Sequence, residues 1–165
     1  MYSGIISELS QKMKPGVYLN VNNITVYKKV LCAKINSVGK SLYYTKGVVE
    51  LEIPAKSDIV VPIYYTNTES IRTDCAIVKK ITFGELDDTE SFSQEVDNTW
   101  LSFSHYDPTF IYKKDTIVKP NEPLCLNPKK YYVSGIHACT TYFDAYKYDS
   151  ILLYNVNSFR ELEIV

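Results

Sequence analysis

Hydrophobic and polar positions alternate along most of this chain with the two-residue period of β-strands. In GVVELEI (47–53), Val49, Leu51 and Ile53 fall on one side and Glu50 and Glu52 on the other, as in a half-buried strand. The segments ITVYKKVLCAKIN (24–36), DIVVPIYY (58–65) and TDCAIVKKITF (73–83) are rich in β-branched and aromatic residues and predict further strands. Trp100–Phe103, Phe110–Val118, 151–156 and 160–165 have the same character. Asn36-Ser37-Val38-Gly39-Lys40 and Asn67-Thr68-Glu69-Ser70 are turn sequences. Pro54 and Pro62 mark strand ends or edges, because proline has no N–H for the ladder.

The N-terminus follows a different period. Ile5, Ile6, Leu9 and Met13 share one helical face, Ser3 stands at the cap position, and Lys14-Pro15-Gly16 ends the pattern. A helix with its connection is therefore expected over residues 1–23, leading into a β-rich core over 24–165. The run GELDDTESFSQEVDN (84–98) is acidic and polar and reads as an exposed loop. Residues 119–130 hold Pro120, Pro123 and Pro128 and read as an irregular, rigid connection. Within YYVSGIHACTTYFDAYKY (131–148) the period changes from strand to a threonine-capped helix. The expected fold is α+β: one domain over 1–165 with a predominantly antiparallel sheet, an N-terminal helix and a short helix after Gly135-Ile136-His137.

Composition narrows the function classes. The chain has 165 residues and a net charge of −1, enough for one core. Arg72 and Arg160 are its only arginines. A near-neutral, arginine-poor chain lacks the basic surface that nucleic-acid binding requires, and no nucleic-acid partner is expected. No segment has the roughly 18–20 consecutive apolar residues of a membrane span. The first residues lack the basic and long apolar regions of a secretion signal, so a protein that is not secreted is expected. The four cysteines, Cys32, Cys75, Cys125 and Cys139, have no CxxC spacing and read as structural thiols. Fifteen tyrosines against six phenylalanines have two readings. One is AT-rich codon usage; the other is a contact surface built from large, rigid, amphipathic side chains.

Two segments carry candidate chemistry. In the first, Gly135 permits close backbone approach, and His137 and Cys139 follow at strand spacing. Thr140 or Thr141 then opens a helix whose first N–H groups could receive an anion. In the second, Ser104, His105 and Asp107 surround Tyr106 just before Pro108. Each segment has a structural alternative. His137 can be a packed histidine hydrogen-bonded to backbone, and Asp107 can close an Asx-turn. The spacing of Cys125, His137, Cys139 and His105 matches no zinc motif. Strand geometry holds His137 and Cys139 parallel rather than in the head-to-head arrangement of a nucleophile and its base. No metal and no cofactor is expected.

From Val26 onward the chain resembles a family of domains from large DNA viruses, domain of unknown function family 5758, often found beside pentapeptide repeats. The resemblance is carried by VYKKV (26–30), ELEIPAKSDIV (50–60), IRTDCAIVKKI (71–81), SHYDPTFIYKKDTIVKP (104–120) and SGIHACTTYFDAYKY (134–148). It implies a viral source and no particular activity. GIHACTTYFDAYKY is also similar, more weakly, to a strand–helix segment of ADP-ribosyltransferase-type enzymes. That similarity implies His137 where those enzymes stack a tyrosine on nicotinamide, and Thr140 or Thr141 near their serine. Lys28 and Lys29 would replace the early His or Arg strand, with Glu161 or Glu163 as the late glutamate. The resulting expectation is a non-enzymatic viral protein, located in the virion or host cytoplasm. It would act as a virion component or as an interaction module with a viral or host protein partner. The alternative is a domain that binds NAD or ADP-ribose, active or degenerate, around His137, Thr140, Thr141 and Gly135, with His105 and Asp107 as further ligand-binding candidates.

Overall fold

The computed structural model describes residues 1–10, 13–63, 71–86, 92–130 and 133–147. Among these residues are twelve strands and one short helix. The strands are β1 (Gly4–Ile6), β2 (Gly16–Asn20), β3 (Ile24–Ile35), β4 (Ser41–Ile53), β5 (Asp58–Val61), β6 (Ile71–Thr73), β7 (Ala76–Leu86), β8 (Phe92–Glu95), β9 (Trp100–Ser104), β10 (Ile111–Tyr112), β11 (Ile117–Val118) and β12 (Ile136–Ala138); the helix is α1 (Tyr142–Lys147). They form two sheets. One has the order β1-β2-β5-β6-β12, and the other the order β10-β9-β3-β4-β7-β11 with β8 also on β7. Every pairing is antiparallel except β1 on β2.

The expected α+β architecture with an N-terminal helix is therefore wrong: the protein is mostly β. Residues Gly4–Ile6 form β1, in register with Tyr18–Asn20. The Ser3 N–H donates to Val17 O at 2.6 Å, and Val21 N–H donates to Ile6 O at 2.8 Å. Ser3 Oγ, expected as a helix cap, instead accepts from Val17 N–H at 3.3 Å. Glycine and two β-branched isoleucines are poor helix formers, and a short helix has a costly nucleus. A neighbouring strand offers the same backbone partners without that cost. Three of the four apolar residues still face inward: Ile6, Leu9 and Met13 pack on the core, while Ile5 is exposed. Residues 84–98 need a second correction. Gly84–Leu86 continue β7 and Phe92–Glu95 form β8, so this stretch is partly a hairpin rather than a loop. Residues 87–91 and the strands expected at 151–156 and 160–165 lie outside the described residues.

The core forms where the sheets face each other. β3 and β4 contribute Val26, Val30, Val49, Leu51 and Ile53; β5, β6 and β12 contribute Ile59, Val61, Ile71, Ile136 and Ala138. The β3–β4 hairpin turns where Asn36 Oδ1 accepts from the N–H groups of Val38 and Lys40, both at 3.0 Å. On the other face of β3 and β4, α1 covers a smaller cluster of Tyr27, Val48, Cys139, Tyr142, Ala145 and Tyr146.

β9 covers β3 only from Val30 to Lys34. Beyond that limit Cys139 takes over, exchanging two backbone hydrogen bonds with Tyr27 at 2.7 and 2.9 Å. The corner between the end of β9 and the incoming β12 is where the candidate site opens.

Candidate functional site

A cleft of about 480 Å³ occupies this corner. One wall is the segment after β9, with Ser104, Tyr106, Asp107, Phe110 and Tyr112. The facing wall is Val133–His137, completed by Pro120, Asn121 and Glu122 from the proline-rich connection. Lys28 also lines the cleft. The 104–107 and 134–137 segments, distant in sequence, thus meet at one cavity. Of the sequence candidates, Ser104, Asp107, Gly135 and His137 line it.

Each candidate is held by local chemistry. Lys28 lies on the same face of β3 as Val26 and Val30 and is only 3% exposed. Its ammonium donates to His137 O at 2.7 Å and lies 5.5 Å from the Tyr106 ring centroid. The His137 ring bonds through Nε2 to Val133 O at 2.7 Å. A carbonyl only accepts, so Nε2 carries the proton. Burial, then the Lys28 cation, hold the His137 pKa down to about 4; the Val133 hydrogen bond opposes this and the Arg72 cation adds to it. His137 is therefore neutral at neutral pH.

His105 is wholly buried and stands behind the cleft wall, its ring 4.2 Å from that of Tyr106. Burial, then Lys28 and Lys29, push its pKa down to about 2. Asp107 closes an Asx-turn, its Oδ1 accepting from Thr109 N–H at 2.9 Å and Thr109 Oγ1 at 2.6 Å. Thr140 and Thr141 are not on the cleft. Thr141 caps α1 by accepting from Asp144 N–H at 3.1 Å. Cys139 packs beneath α1 with Val48 and Ala145, so the strand does not present it beside His137.

Arg72 holds the far wall in place. Fully buried on β6, it donates from Nε to Cys125 O (2.9 Å), from Nη1 to Lys130 O (2.9 Å) and from Nη2 to Asn127 O (2.7 Å). One planar guanidinium thus fixes three carbonyls of the proline-rich connection. Gly135 crosses directly above it with φ +143°; a Cβ there would lie 2.8 Å from Leu124 Cδ1 and 3.1 Å from Arg72 Cδ. Only glycine fits that conformation and that space.

The family model for the family of unknown function DUF5758 matches residues 11–145. The chain belongs to this family. A protein of Acanthamoeba polyphaga mimivirus, described as uncharacterized, is 38% identical over 139 residues, covering 77% of this chain and 84% of that protein. No solved structure matches. The span matched by DUF5758 contains both cleft walls, Lys28 and Arg72.

Sequence reasoning named Lys28 only through the ADP-ribosyltransferase likeness, and missed Arg72 and the aromatic wall of this DUF5758 cleft. The signal was present for two of them. Lys28 sits in the apolar alternation of Val26 and Val30, and Arg72 follows Ile71 at the start of a strand. A charge on an apolar face needs a polar partner inside the protein. Among the described residues no group of three or more His, Cys, Asp or Glu could hold a metal ion. All four cysteines are unbridged. Burial, eased slightly by Ser102, pushes the Cys32 thiol up to about 12, so it stays protonated at neutral pH. No described helix is long and apolar enough to cross a membrane.

Proposed function

We propose that the protein is a non-enzymatic viral interaction module whose cleft receives apolar side chains of a protein partner. The observation that carries this reading is the composition of the cleft. Tyr106, Phe110, Tyr112, Pro120, Val133 and Ile136 supply apolar wall, and Lys28, His137, Asp107 and Glu122 supply a few polar groups. Preformed recognition sites have this balance. The groups that acid–base chemistry would use are committed elsewhere. His137 is neutral and bonded to Val133, His105 lies behind the wall, and Asp107 holds its own turn. Aromatic side chains bring large contact area at little entropic cost.

The test is affinity capture from infected cells with wild type and Asn121→Arg, followed by direct binding of the purified partner. Asn121 is exposed at the cleft mouth, so an arginine there obstructs entry without touching the core. A partner retained by wild type and weakened about tenfold or more by the variant supports the reading. Equal binding by both proteins overturns it. Saturable calorimetric binding of NAD or ADP-ribose, lost in His137→Ala, would replace it with the nucleotide reading.

A further inference from the structure

β10 and β11 end the seven-stranded sheet on opposite sides, yet they follow one another in the chain. Only residues 113–116 join them, and Thr116 N–H donates to Lys113 O at 3.2 Å within that turn. Tyr112 and Ile117 are therefore at most about 18 Å apart. The sheet curls toward a barrel without pairing its two edges. The cleft lies at this seam. Phe110 and Tyr112 line one side, and Pro120, Asn121 and Glu122, just beyond β11, line the other.

The outer edge of β10 can pair with a further strand. Ser104 N–H donates to Phe110 O at 2.9 Å, and Ile111 stands opposite Phe103. Hydrogen-bonded and non-hydrogen-bonded pairs alternate in an antiparallel ladder, so the N–H and C=O of Ile111 point away from β9. No described strand lies on that side. The Ile111 side chain is 38% exposed, on the opposite face from Phe110 and Tyr112. An added strand would bond the Ile111 backbone and send every second side chain into the cleft beside Phe110 and Tyr112. Pro120 has no N–H to offer a ladder from the facing wall.

The mouth of the cleft adds a charge preference. Among the described lining residues Lys28 is the one cation, and its buried ammonium donates to His137 O. The carboxylates are Asp107 and Glu122, and Glu122 is exposed. An exposed carboxylate at the rim complements a cationic side chain of a partner. We propose that the cleft takes an extended segment of its partner, paired as a strand on the outer edge of β10. That segment carries apolar side chains at alternate positions and a lysine or arginine beside Glu122. This inference rests on reading the cleft as a protein-interaction site.

The experiment selects short random peptides, displayed on phage, against the full chain. Calorimetry with the selected peptides then compares wild type, Asn121→Arg, Ile111→Pro and Glu122→Lys. Ile111 is exposed and its N–H points away from β9, so proline removes an edge donor without altering the cleft wall. Thermal melts establish that the variants are folded. Selected peptides should alternate apolar and polar residues and carry a basic residue. Asn121→Arg and Ile111→Pro should each weaken binding about tenfold or more, and Glu122→Lys about threefold. In wild type, exchange of the Ile111 amide hydrogen should slow when peptide binds, which reads the edge without any variant. Weakening by Asn121→Arg with no protection of the Ile111 amide would overturn the strand addition and leave the interaction cleft standing. Binding indifferent to Asn121→Arg, or no selected peptide, would overturn both.

Discussion

Lys28 and Lys29 are neighbours in one strand, yet they serve two chemically different hollows. On the Lys28 side the lining is mostly apolar and aromatic, and the cation is close to a carbonyl, a tyrosine ring and a neutral histidine. On the Lys29 side two more lysines join the first around a shared space. The strand's two-residue period sends the side chains apart, and what each meets is decided by other elements. For Lys28 these are the end of β9 and the start of β12; for Lys29 they are β4, β7, β8 and α1. The same side chain type thus bonds backbone at one site and borders a hollow at the other.

The most damaging change to the cleft side should be Arg72→Met. It leaves three carbonyls without their donor, and a loss of about 3–5 kcal/mol is expected, read as a lower urea midpoint. On the other side, Lys46 is exposed at the edge of the second hollow, so Lys46→Gln should remain within about 1 kcal/mol of wild type. Equal losses in the two variants would break the asymmetry. Next in size is Gly135→Ala, which forces a Cβ against Leu124 and Arg72 at a left-handed φ. It should cost about 1–3 kcal/mol in the same measurement.

Acid should act through the two buried histidines. Both folded-state pKa values, about 4 for His137 and about 2 for His105, lie below the ordinary 6.5. In the unfolded chain these rings take up protons near pH 6.5 while the native rings stay neutral. Stability is thus fully present above about pH 6.5 and is lost as pH falls below it. Two such protons give a slope approaching about 2.7 kcal/mol per pH unit near pH 5. Denaturation series on wild type and His137→Gln should show the variant with about half that slope.

The smallest effect separates the two lysines. Lys28 depresses both histidines, whereas Lys29 acts on His105. In NMR titrations Lys28→Met should therefore raise the His137 pKa, and Lys29→Met should leave it in place. An equal rise in both variants would contradict the placement of Lys29 on the other face.

Much of this arrangement was legible in the chain where periodicity was long. The alternation of Val49, Leu51 and Ile53 predicted their burial, and the threonine cap predicted α1, with Thr141 as the capping residue. The N-terminus was misread because Ile5, Ile6, Leu9 and Met13 fit a helical face over a segment too short for period alone to decide. Its true partner, β2, is a tertiary contact that propensity does not see. At the site, the single residues that break a rule were legible: Gly135 and His137. Their convergence with the Tyr106–Asp107 turn was not. It depends on where β9 ends along β3 and on three carbonyls that Arg72 gathers from another segment.

The central claim is that the cleft, and not the lysine hollow behind it, receives the protein partner. The most direct measurement is partner affinity for wild type, Asn121→Arg and Lys46→Gln/Lys147→Gln under the same salt conditions. Obstruction of the cleft mouth should weaken binding about tenfold or more, while the lysine variant should bind as wild type does. Unchanged affinity in Asn121→Arg would contradict the account.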